Sequence, residues 1–248
     1  MRRFWDERAR EDAYFFVDDR RPYRAEDSEE FWTEGKRIIE TIFGMLGVRV
    51  DAADLVVDIG CGVGRLTRVL ATQAACVYAI DVSRDMLARA FQHNSTLGNV
   101  RWIEGDGVSL RPLTDGSVDA CVSHVVFQHI PDPSITIEYV REMGRVLRPG
   151  GWAAFQVSDD PRVHRRREGA RGLPRKVAER LGRRPRGQSD PAWLGSAVDM
   201  GELRAAAAMS SLVLERVVGE GTQFCMILAR RVSATQDDVG DDAAPVNH

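Results

Sequence analysis

The sequence has no apolar run near the roughly 20 residues that a membrane-spanning helix needs. The stretch from Met1 to Asp6 contains two arginines, but no apolar segment follows it as one does in a secretory signal. Of the 248 residues, 44% are hydrophobic and 29% are charged, which excludes a wholly disordered chain and a fibre. We therefore expect a globular cytoplasmic protein that does not bind a membrane.

Cysteine is scarce, and lysine is almost absent. The four cysteines form no CxxC pair, so the sequence indicates neither a zinc site nor a disulfide framework. Only two of the 34 basic residues are lysines, and the formal net charge is −3. This charge argues against a chain built as a whole to bind the nucleic-acid backbone.

Short apolar runs alternate with amphipathic segments between about residues 52 and 157. The alternation predicts repeated βα units, and therefore a parallel sheet covered by helices. We expect these helices to start near Arg65, Ser83 and Asp132, the last with proline in its first position. The predicted strands are residues 55–60, 76–81, 100–105, 118–126 and 152–157.

Composition divides the chain into an arm, a main domain and a tail. Residues 1–50 are a helical and aromatic arm, and we expect it to act as a lid. Residues 51–232 are the α/β domain, which carries a basic insert at about 158–198 and ends in a predicted helix and hairpin over 199–232. Residues 233–248 are acidic, contain no aromatic residue, and are expected to be disordered.

A glycine loop stands between the first strand and the first helix of the domain. The apolar strand runs into Gly60, Gly62 and Gly64, and an amphipathic segment begins at once. Such a loop lets the backbone approach a ligand closely and points free N–H groups at it. Nicotinamide and flavin domains also use glycine loops, but their fingerprint has a glycine where this chain has Arg65. The loop here is GxGxG, and an acid, Asp58, precedes it.

Acidic residues also follow the second and third predicted strands. Asp81 closes the second strand, 17 residues after Gly64, where a carboxylate can accept hydrogen bonds from both ribose hydroxyls. Asp106 follows the third strand, where a carboxylate can accept from the exocyclic amine of adenine. Because open α/β folds bind ligands at the carboxyl ends of their strands, these acids predict a nucleoside site at that edge.

Five motifs in order resemble those of the class I S-adenosylmethionine-dependent methyltransferases with small-molecule acceptors. They are DIGCGVG at 58–64, AIDVS at 79–83, EGDG at 104–107, the segment 117–130 containing FQHI, and EMGRVLRPGG at 142–151. The resemblance covers roughly residues 50–160 and 199–232. It implies a Rossmann-like fold: a seven-stranded, mostly parallel sheet with an antiparallel last strand and helices on both faces. It also implies S-adenosyl-L-methionine as the cofactor.

The resemblance assigns the methionine end of the cofactor to the loop and to the fourth strand. Asp58 is expected near the methionine ammonium, although a carboxylate there can instead hydrogen-bond backbone amides of the loop. Ser123 and His124 are expected to pass close to the same end. The loop residues assigned to the cofactor are Gly60, Cys61, Gly62 and Gly64.

The resemblance assigns the adenosine end to the second and third strands. Asp81 is expected to take the ribose hydroxyls, with Val82 and Met86 against the adenine. Asp106 is expected to bind the adenine amine. The neighbouring glycines in this set are Gly105 and Gly107.

His129 is the candidate catalytic residue. Methyl transfer from a sulfonium needs alignment and exclusion of water, and it needs a general base only for a poor nucleophile such as a hydroxyl. His129 lies in the loop after the fourth strand, and His124 is the second choice. The alternative for His129 is a structural histidine that hydrogen-bonds backbone. No acid or cysteine at ligand spacing joins the pair, so we expect no metal.

The arm and the insert each have a functional and a structural interpretation. The arm aromatics, among them Trp5 and Tyr14, either close the site over a sulfonium cation or simply pack on the sheet. The segment 161–187 has eleven Arg or Lys and two Glu, a net charge of +9. It recognises an anionic acceptor, contacts nucleic acid, or forms a solvated helix.

The sequence thus predicts a methyltransferase that modifies an oxygen, nitrogen or carbon atom of a small molecule, with an anionic acceptor as one interpretation of the basic insert. Oxygen is preferred because His129 can serve as a base. Nucleic acid is disfavoured as a partner, and the oligomeric state stays open. The alternatives are an RNA or protein methyltransferase that uses the arginine-rich insert, a catalytically silent cofactor-binding module, and, least favoured, a nicotinamide oxidoreductase.

Overall fold

The computed structural model describes residues 1–25, 28–165 and 185–232. The strands are β1 (Leu55–Ile59), β2 (Cys76–Asp81), β3 (Val100–Glu104), β4 (Val118–Ser123), β5 (Leu147–Val157), β6 (Leu212–Val218) and β7 (Cys225–Arg231). The helices are α1 (Arg2–Val17), α2 (Glu29–Leu46), α3 (Arg65–Ala71), α4 (Arg84–His93), α5 (Pro133–Val146), α6 (Pro191–Leu194) and α7 (Met200–Met209), with a 3₁₀ turn at Phe127–His129.

The strands form one sheet in the order β3-β2-β1-β4-β5-β7-β6. The pairs β1–β2, β2–β3, β1–β4 and β4–β5 are parallel, whereas β7 runs antiparallel between β5 and β6. The predicted fold class, a mostly parallel seven-stranded sheet with an antiparallel last strand, is confirmed. The direction of strand progression reverses between β1 and β4, and open α/β sheets bind their ligands at such a point.

The helices begin where the sequence predicted them, and the reason is side-chain capping. Ser83 accepts a hydrogen bond from the Met86 amide at the start of α4, and Asp132 accepts from the Ser134 amide at the start of α5. A side-chain oxygen before the first turn satisfies an amide that has no partner inside the helix. The first of the three helices, α3, begins at Arg65 directly after the glycine loop.

The fifth strand differs from the prediction because it begins at Leu147 rather than at Trp152. The segment 148–151, which precedes the predicted strand, lies inside β5. Leu147 pairs with Val118 and Trp152 pairs with Ala120, so the register shifts between the two pairs. Proline and glycine are tolerated in a strand at such an irregularity.

Each face of the sheet carries its own apolar core. Successive residues of a strand point to opposite faces, and along β1 Val57 contributes to one core and Val56 to the other. The first core is closed by α5 and α7, and the second by α2 and α3. On α2, the side chains that enter the second core are Ile39, Ile42, Phe43 and Leu46.

The arm places α1 beside α4, at the carboxyl edge of the sheet. α1 bends at Asp12, whose backbone is extended (φ −168°, ψ 84°) within the helix. One carboxylate oxygen of Asp12 accepts from the Phe15 amide at 3.1 Å, and the other accepts from the Arg24 amide.

Parts of the basic insert and the whole acidic tail lie outside the described residues. The solvated helix that is one interpretation of the segment 161–187 falls largely within 166–184, and the predicted disorder falls on 233–248. Across 1–25, 28–165 and 185–232, no helix is long and apolar enough to cross a membrane.

The close approach of α5 to the end of α7 predicts opposite effects for two helical glycines. A Cβ at Gly144 would lie 2.4 Å from the Ser210 carbonyl oxygen, whereas a Cβ at Gly44 would meet nothing within 4 Å. We expect Gly144→Ala to lower the free energy of unfolding by about 1–3 kcal/mol through overpacking. Gly44→Ala should raise it by up to about 1 kcal/mol through helix propensity. Urea unfolding measures both, and equal shifts for the two variants would contradict the packing described.

Candidate cofactor and active site

A cavity opens at the carboxyl ends of β1, β2 and β4, where the strand progression reverses. Its empty volume is about 1070 Å³, including the part that is open to solvent. The wall is mostly apolar, and among the described residues its acidic and basic side chains, histidines aside, are Asp58, Arg65 and Asp81. The cavity therefore has the shape and the few polar groups of a small-molecule site.

The glycine loop forms the floor of the cavity. Gly60, Gly62 and Gly64 all have positive φ, between 54° and 82°, a region that favours glycine. The amides of Gly60 and Cys61 donate to the Ile80 carbonyl at 2.7 and 3.0 Å, which fastens the loop to β2. A Cβ at Gly60 would lie 2.5 Å from the methyl carbons of Val126. The loop can therefore lie this close to the segment after β4 only because it lacks side chains.

Asp81 links the glycine loop to α4. Its carboxylate accepts from the Gly62 amide at 2.9 Å and from the Ser83 amide at 2.8 Å. Burial is the main reason that the pKa of Asp81 rises to about 6. The carboxylate lines the cavity at the position where the sequence predicted a ribose ligand.

Asp58 lies deeper in the floor and is almost completely buried. It accepts a 2.6 Å hydrogen bond from the Thr67 hydroxyl on α3. Burial raises the pKa of Asp58 to about 6, and the nearby charge of Asp81 adds to the rise. Two neighbouring buried carboxylates give this part of the cavity a strong preference for a positively charged or hydrogen-bond-donating ligand.

Most of the predicted cofactor residues come together around this cavity. Those that line it are Asp58, Gly60, Cys61, Gly62, Asp81, Val82, Met86, Gly105, Gly107 and His124, and the candidate base His129 joins them.

Three predicted cofactor residues are not among the cavity lining. Gly64 begins α3 on the far side of the loop, where its α-carbon packs against Trp102. Ser123 donates to the Ile59 carbonyl inside the sheet. Asp106 is exposed, and its carboxylate accepts from the Val108 and Ser109 amides within its own turn. Its contact with adenine stays a prediction.

The arm roofs the cavity. Met1, Trp5, Phe16 and Val17 all line it. Trp5 lies edge-to-face with the His129 ring at 5.5 Å between ring centres. The arm is held to the domain by hydrogen bonds from the Ser83 hydroxyl and the Asp85 amide to Asp6, and by ion pairs.

Sequence reasoning missed several residues at the site. Arg65 and Tyr139 line the cavity, but Arg65 stood out only as a departure from the dinucleotide fingerprint. The Trp193 ring of α6 packs at a tilt of 36° against the His129 ring, with 5.3 Å between ring centres. The only signal for these residues is three-dimensional, because they come from segments far apart in the chain.

A chain of hydrogen bonds fixes the state of His129. Its Nδ1 lies 2.9 Å from the Trp193 carbonyl oxygen, and since that oxygen can only accept, Nδ1 carries the proton. Its Nε2 lies 3.3 Å from the side-chain nitrogen of Gln128, which can only donate. Nε2 is therefore the unprotonated nitrogen. Burial lowers the pKa of His129 and favours this neutral form.

Two backbone groups fix the orientation of Gln128 through Gln156. The side-chain nitrogen of Gln156 donates to the Gln223 backbone carbonyl at 2.7 Å and to the Gln128 side-chain oxygen at 2.6 Å. The Gln156 side-chain oxygen accepts from the Val125 amide at 3.0 Å. Neither glutamine can turn its amide over without losing these bonds, so the tautomer of His129 is set by the surrounding fold.

Arg65 and His124 bring polar atoms without partners to the same cavity. Among the described residues, Arg65 Nε and His124 Nδ1 are buried and have no hydrogen-bond partner. Burial is the main reason that the pKa of His124 falls to about 4, and the charge of Arg65 contributes. Buried polar atoms of this kind are costly unless a ligand satisfies them.

The residues present fit an adenosine carrying a methionine group. The two carboxylates suit ribose hydroxyls and an ammonium, the unpartnered Arg65 and His124 atoms suit an anionic group, and the apolar wall suits adenine. The fold and the site together define a Rossmann-like domain that binds a nucleoside cofactor at the reversal point of its sheet.

Comparison with known proteins identifies the family. Residues 57–155 match the family described as "Methyltransferase domain". The malonyl-[acyl-carrier protein] O-methyltransferase of Marinomonas sp. is 31% identical over 137 residues, which cover 54% of this chain and 48% of that protein. Residues 57–155 are therefore a methyltransferase domain of the class I type, and the relatives and solved structures support S-adenosylmethionine as its cofactor.

Solved structures show the same fold. A methyltransferase in complex with the Trm112 methyltransferase activator of Haloferax volcanii superposes with a TM-score of 0.62 at 17% identity, covering 92% of this chain and 98% of that one. Phosphoethanolamine N-methyltransferase 1 of Haemonchus contortus, solved with phosphoethanolamine and S-adenosylhomocysteine, gives 0.59 at 18% identity, covering 95% and 49%. The chain spans less than half the length of the curated relatives that it matches.

The raised pKa values of Asp58 and Asp81 predict that cofactor binding weakens in acid. Both carboxyls have pKa values of about 6, so at pH 5 they are protonated and at pH 7.5 they are ionised. A ligand that donates to the ionised forms must displace these protons. We expect the affinity for S-adenosylhomocysteine to fall by up to about tenfold per pH unit per group below pH 6.

Calorimetric titration between pH 5 and 8, in buffers of different ionisation enthalpy, measures both the affinity and the protons released. Asp58→Asn is the control, because it removes one of the two groups and should reduce the proton release. An affinity that is independent of pH in the wild-type protein would contradict the prediction.

Proposed function

We propose that this protein transfers a methyl group from S-adenosylmethionine to an oxygen, nitrogen or carbon atom of a small molecule, with oxygen preferred. One observation carries the proposal: the glycine loop, the two buried carboxylates and His129 all line a single cavity beneath the arm. A roofed cavity with mostly apolar walls favours a small acceptor over a polymer, which needs an open groove.

For methyl transfer to a hydroxyl, the protein must align the reactants, exclude water from the site and accept one proton. S-adenosylmethionine supplies an activated methyl group on a positively charged sulfur. The aromatic roof of Trp5 and Phe16 excludes water from the reacting groups. His129 accepts at Nε2 the proton that an acceptor hydroxyl loses as its oxygen bonds the methyl carbon and the carbon–sulfur electron pair stays on sulfur.

The hydrogen-bond chain supports His129 as a base rather than as a purely structural residue. Nδ1 points its proton to the Trp193 carbonyl, and Nε2 keeps its lone pair. The 3.3 Å contact of Nε2 with Gln128 is longer than a typical 2.9–3.0 Å hydrogen bond. An acceptor hydroxyl can therefore replace this contact at little cost.

An anionic or carrier-bound acceptor agrees with two further features. The curated relative from Marinomonas is named for the O-methylation of a malonyl group on a carrier protein. In this chain, the segment 161–187 carries a net charge of +9 in the sequence. Such a segment attracts carboxylates and phosphates toward the adjacent domain.

An RNA or protein methyltransferase is the second candidate. The same arginine-rich segment favours it, and so does the fold shared with the methyltransferase that was solved with Trm112. For a polymer to reach the methyl donor, the arm must first move away from Ser83 and Arg65. A catalytically silent module is the third candidate, and it differs from the others in binding the cofactor without turnover.

Asp81 tests the cofactor site. We expect Asp81→Ala to weaken the binding of S-adenosylmethionine and S-adenosylhomocysteine by more than about tenfold, because a charged hydrogen-bond acceptor is lost from a buried site. Asp115→Ala is the matched control, since its carboxylate is exposed and does not line the cavity. It should change both affinities by less than about threefold.

Calorimetric titration measures these affinities, and a labelled methyl donor then tests acceptors: hydroxyl, carboxylate and amine compounds beside RNA. Folded wild-type protein that binds neither cofactor would overturn the proposed function. Binding without transfer to any acceptor would support the silent module instead.

His129 tests the catalytic step. With a hydroxyl acceptor, we expect His129→Ala to lower kcat by about 10²- to 10⁴-fold, the usual contribution of a general base. The affinity for S-adenosylhomocysteine should change by less than about twofold, because no predicted cofactor contact is removed. With an amine acceptor, which needs no strong base, the same variant should show a smaller fall in kcat.

Gln128→Glu separates the base from a structural role. A carboxylate beside Nε2 favours the protonated ring, so the acid limb of the pH–rate profile should move to higher pH while the protein stays folded. A profile that is unchanged in this variant would show that His129 does not titrate in the reaction.

A further inference from the structure

A guanidinium is buried in the wall of the cavity, and none of the predicted roles uses it. Arg65 is the first residue of α3, directly after the glycine loop, and it is only 6% exposed. It is the one arginine or lysine among the described residues that line the cavity. A charge in such a place is costly unless opposite charges and hydrogen bonds compensate it.

The compensation of Arg65 inside the protein is incomplete. One terminal nitrogen donates to Asp18 at 2.8 Å, and the guanidinium carbon lies 4.8 Å from the centre of the Phe31 ring. Asp18 also accepts from Arg20 at 2.7 Å, so one carboxylate serves two guanidinium groups. Arg65 Nε has no partner within the described part of the chain. The group retains positive charge and an unused donor.

Neighbouring elements pack closely around the Arg65 side chain. A Cβ at Gly35 of α2 would lie 2.8 Å from Arg65 Cγ, so the stem of the side chain lies against a helix that has no side chain there. His124 also lines the cavity, has an unpartnered Nδ1, and is close enough for the charge of Arg65 to lower its pKa. Two side chains with unused polar atoms therefore line the same cavity near each other.

We propose that Arg65 binds the carboxylate of the cofactor's methionine group and that Asp18 of the arm positions it. The proposal rests on the proposed function in that it requires this cofactor. The methionine group carries one ammonium and one carboxylate, and the cavity offers Asp58 for the first and Arg65 for the second. A guanidinium matches a carboxylate with two parallel hydrogen bonds, which a lysine cannot form.

Asp18 gives this contact a second consequence. It is the residue that caps the end of α1, so Arg65 contacts the arm and the cofactor at once. Asp18 touches neither cofactor nor acceptor in this scheme. It acts by holding the guanidinium in place, and its hydrogen bonds with Arg20 and Arg65 outweigh burial and hold its own pKa well below its usual range.

Two ligands that differ only in the amino-acid part test the proposal. S-adenosylhomocysteine carries the carboxylate, whereas 5′-methylthioadenosine has the same adenosine and sulfur without it. By calorimetry at pH 7.5, we expect Arg65→Met to lower the affinity for S-adenosylhomocysteine by roughly 10- to 100-fold. The affinity for 5′-methylthioadenosine should change by less than about twofold. The affinity of Arg65→Lys for S-adenosylhomocysteine should lie between those of the wild type and Arg65→Met, because lysine keeps the charge and loses the paired hydrogen bonds.

Arg68→Met is the matched control. Arg68 lies one turn further along α3 and also stacks on an aromatic ring, 3.8 Å above Trp32, but it does not line the cavity. It should leave both affinities within about twofold. Asp18→Asn should lower the affinity for S-adenosylhomocysteine several-fold and leave the affinity for 5′-methylthioadenosine unchanged. Thermal unfolding checks that each variant is folded.

The outcomes separate this proposal from the proposed function. Equal weakening of both ligands by Arg65→Met, or an unchanged affinity for S-adenosylhomocysteine, would overturn the carboxylate contact while leaving the cofactor site intact. If Arg65→Met does not fold, the same comparison with Arg65→Lys decides. Wild-type protein that binds neither ligand would instead overturn the proposed function itself.

Discussion

The buried carboxylate of Asp81 is the point on which the other parts of the site depend. It holds the Gly62 amide of the glycine loop and the Ser83 amide ahead of α4. The Ser83 hydroxyl in turn donates to Asp6 of the arm at 2.7 Å. Loop, helix and roof are thus connected within three residues of one strand end. A carboxylate can accept several hydrogen bonds at once, which is why an acid at this position can serve both the fold and a ribose.

The cavity wall carries charged groups of both signs, as a site for a zwitterionic ligand requires. Asp58 and Asp81 are negative groups in an otherwise apolar wall, and Arg65 is the positive group that remains after Asp18 is shared with Arg20. In a medium of low polarity, each of these charges is stabilised far more by an ordered ligand than by distant solvent. The neutral His129 stands apart from them, held by amides rather than by ions.

The sequence was sufficient for the fold and for the floor of the site, because both follow from local patterns. The GxGxG loop and the acid at Asp81 are fixed by short-range geometry, since carboxyl ends of parallel strands must share one edge. It was insufficient for the roof and for the orientation of His129. The contacts of Trp193 and Gln156 with their partners span tens of residues, and no periodicity records them. Asp106 shows the converse limit, because a motif position does not reveal that its carboxylate caps its own turn.

The bend at Asp12 gives the roof two independent halves. Before it, Met1 lies against Gly107; after it, Val17 lies against Gly62. Each half is fastened by its own polar contact, one through Asp6 and the other through Asp18. A helix without the bend would have to leave the site as one rod. With it, the contacts of Asp6 and of Asp18 belong to separate segments of the arm, and breaking one set does not require breaking the other.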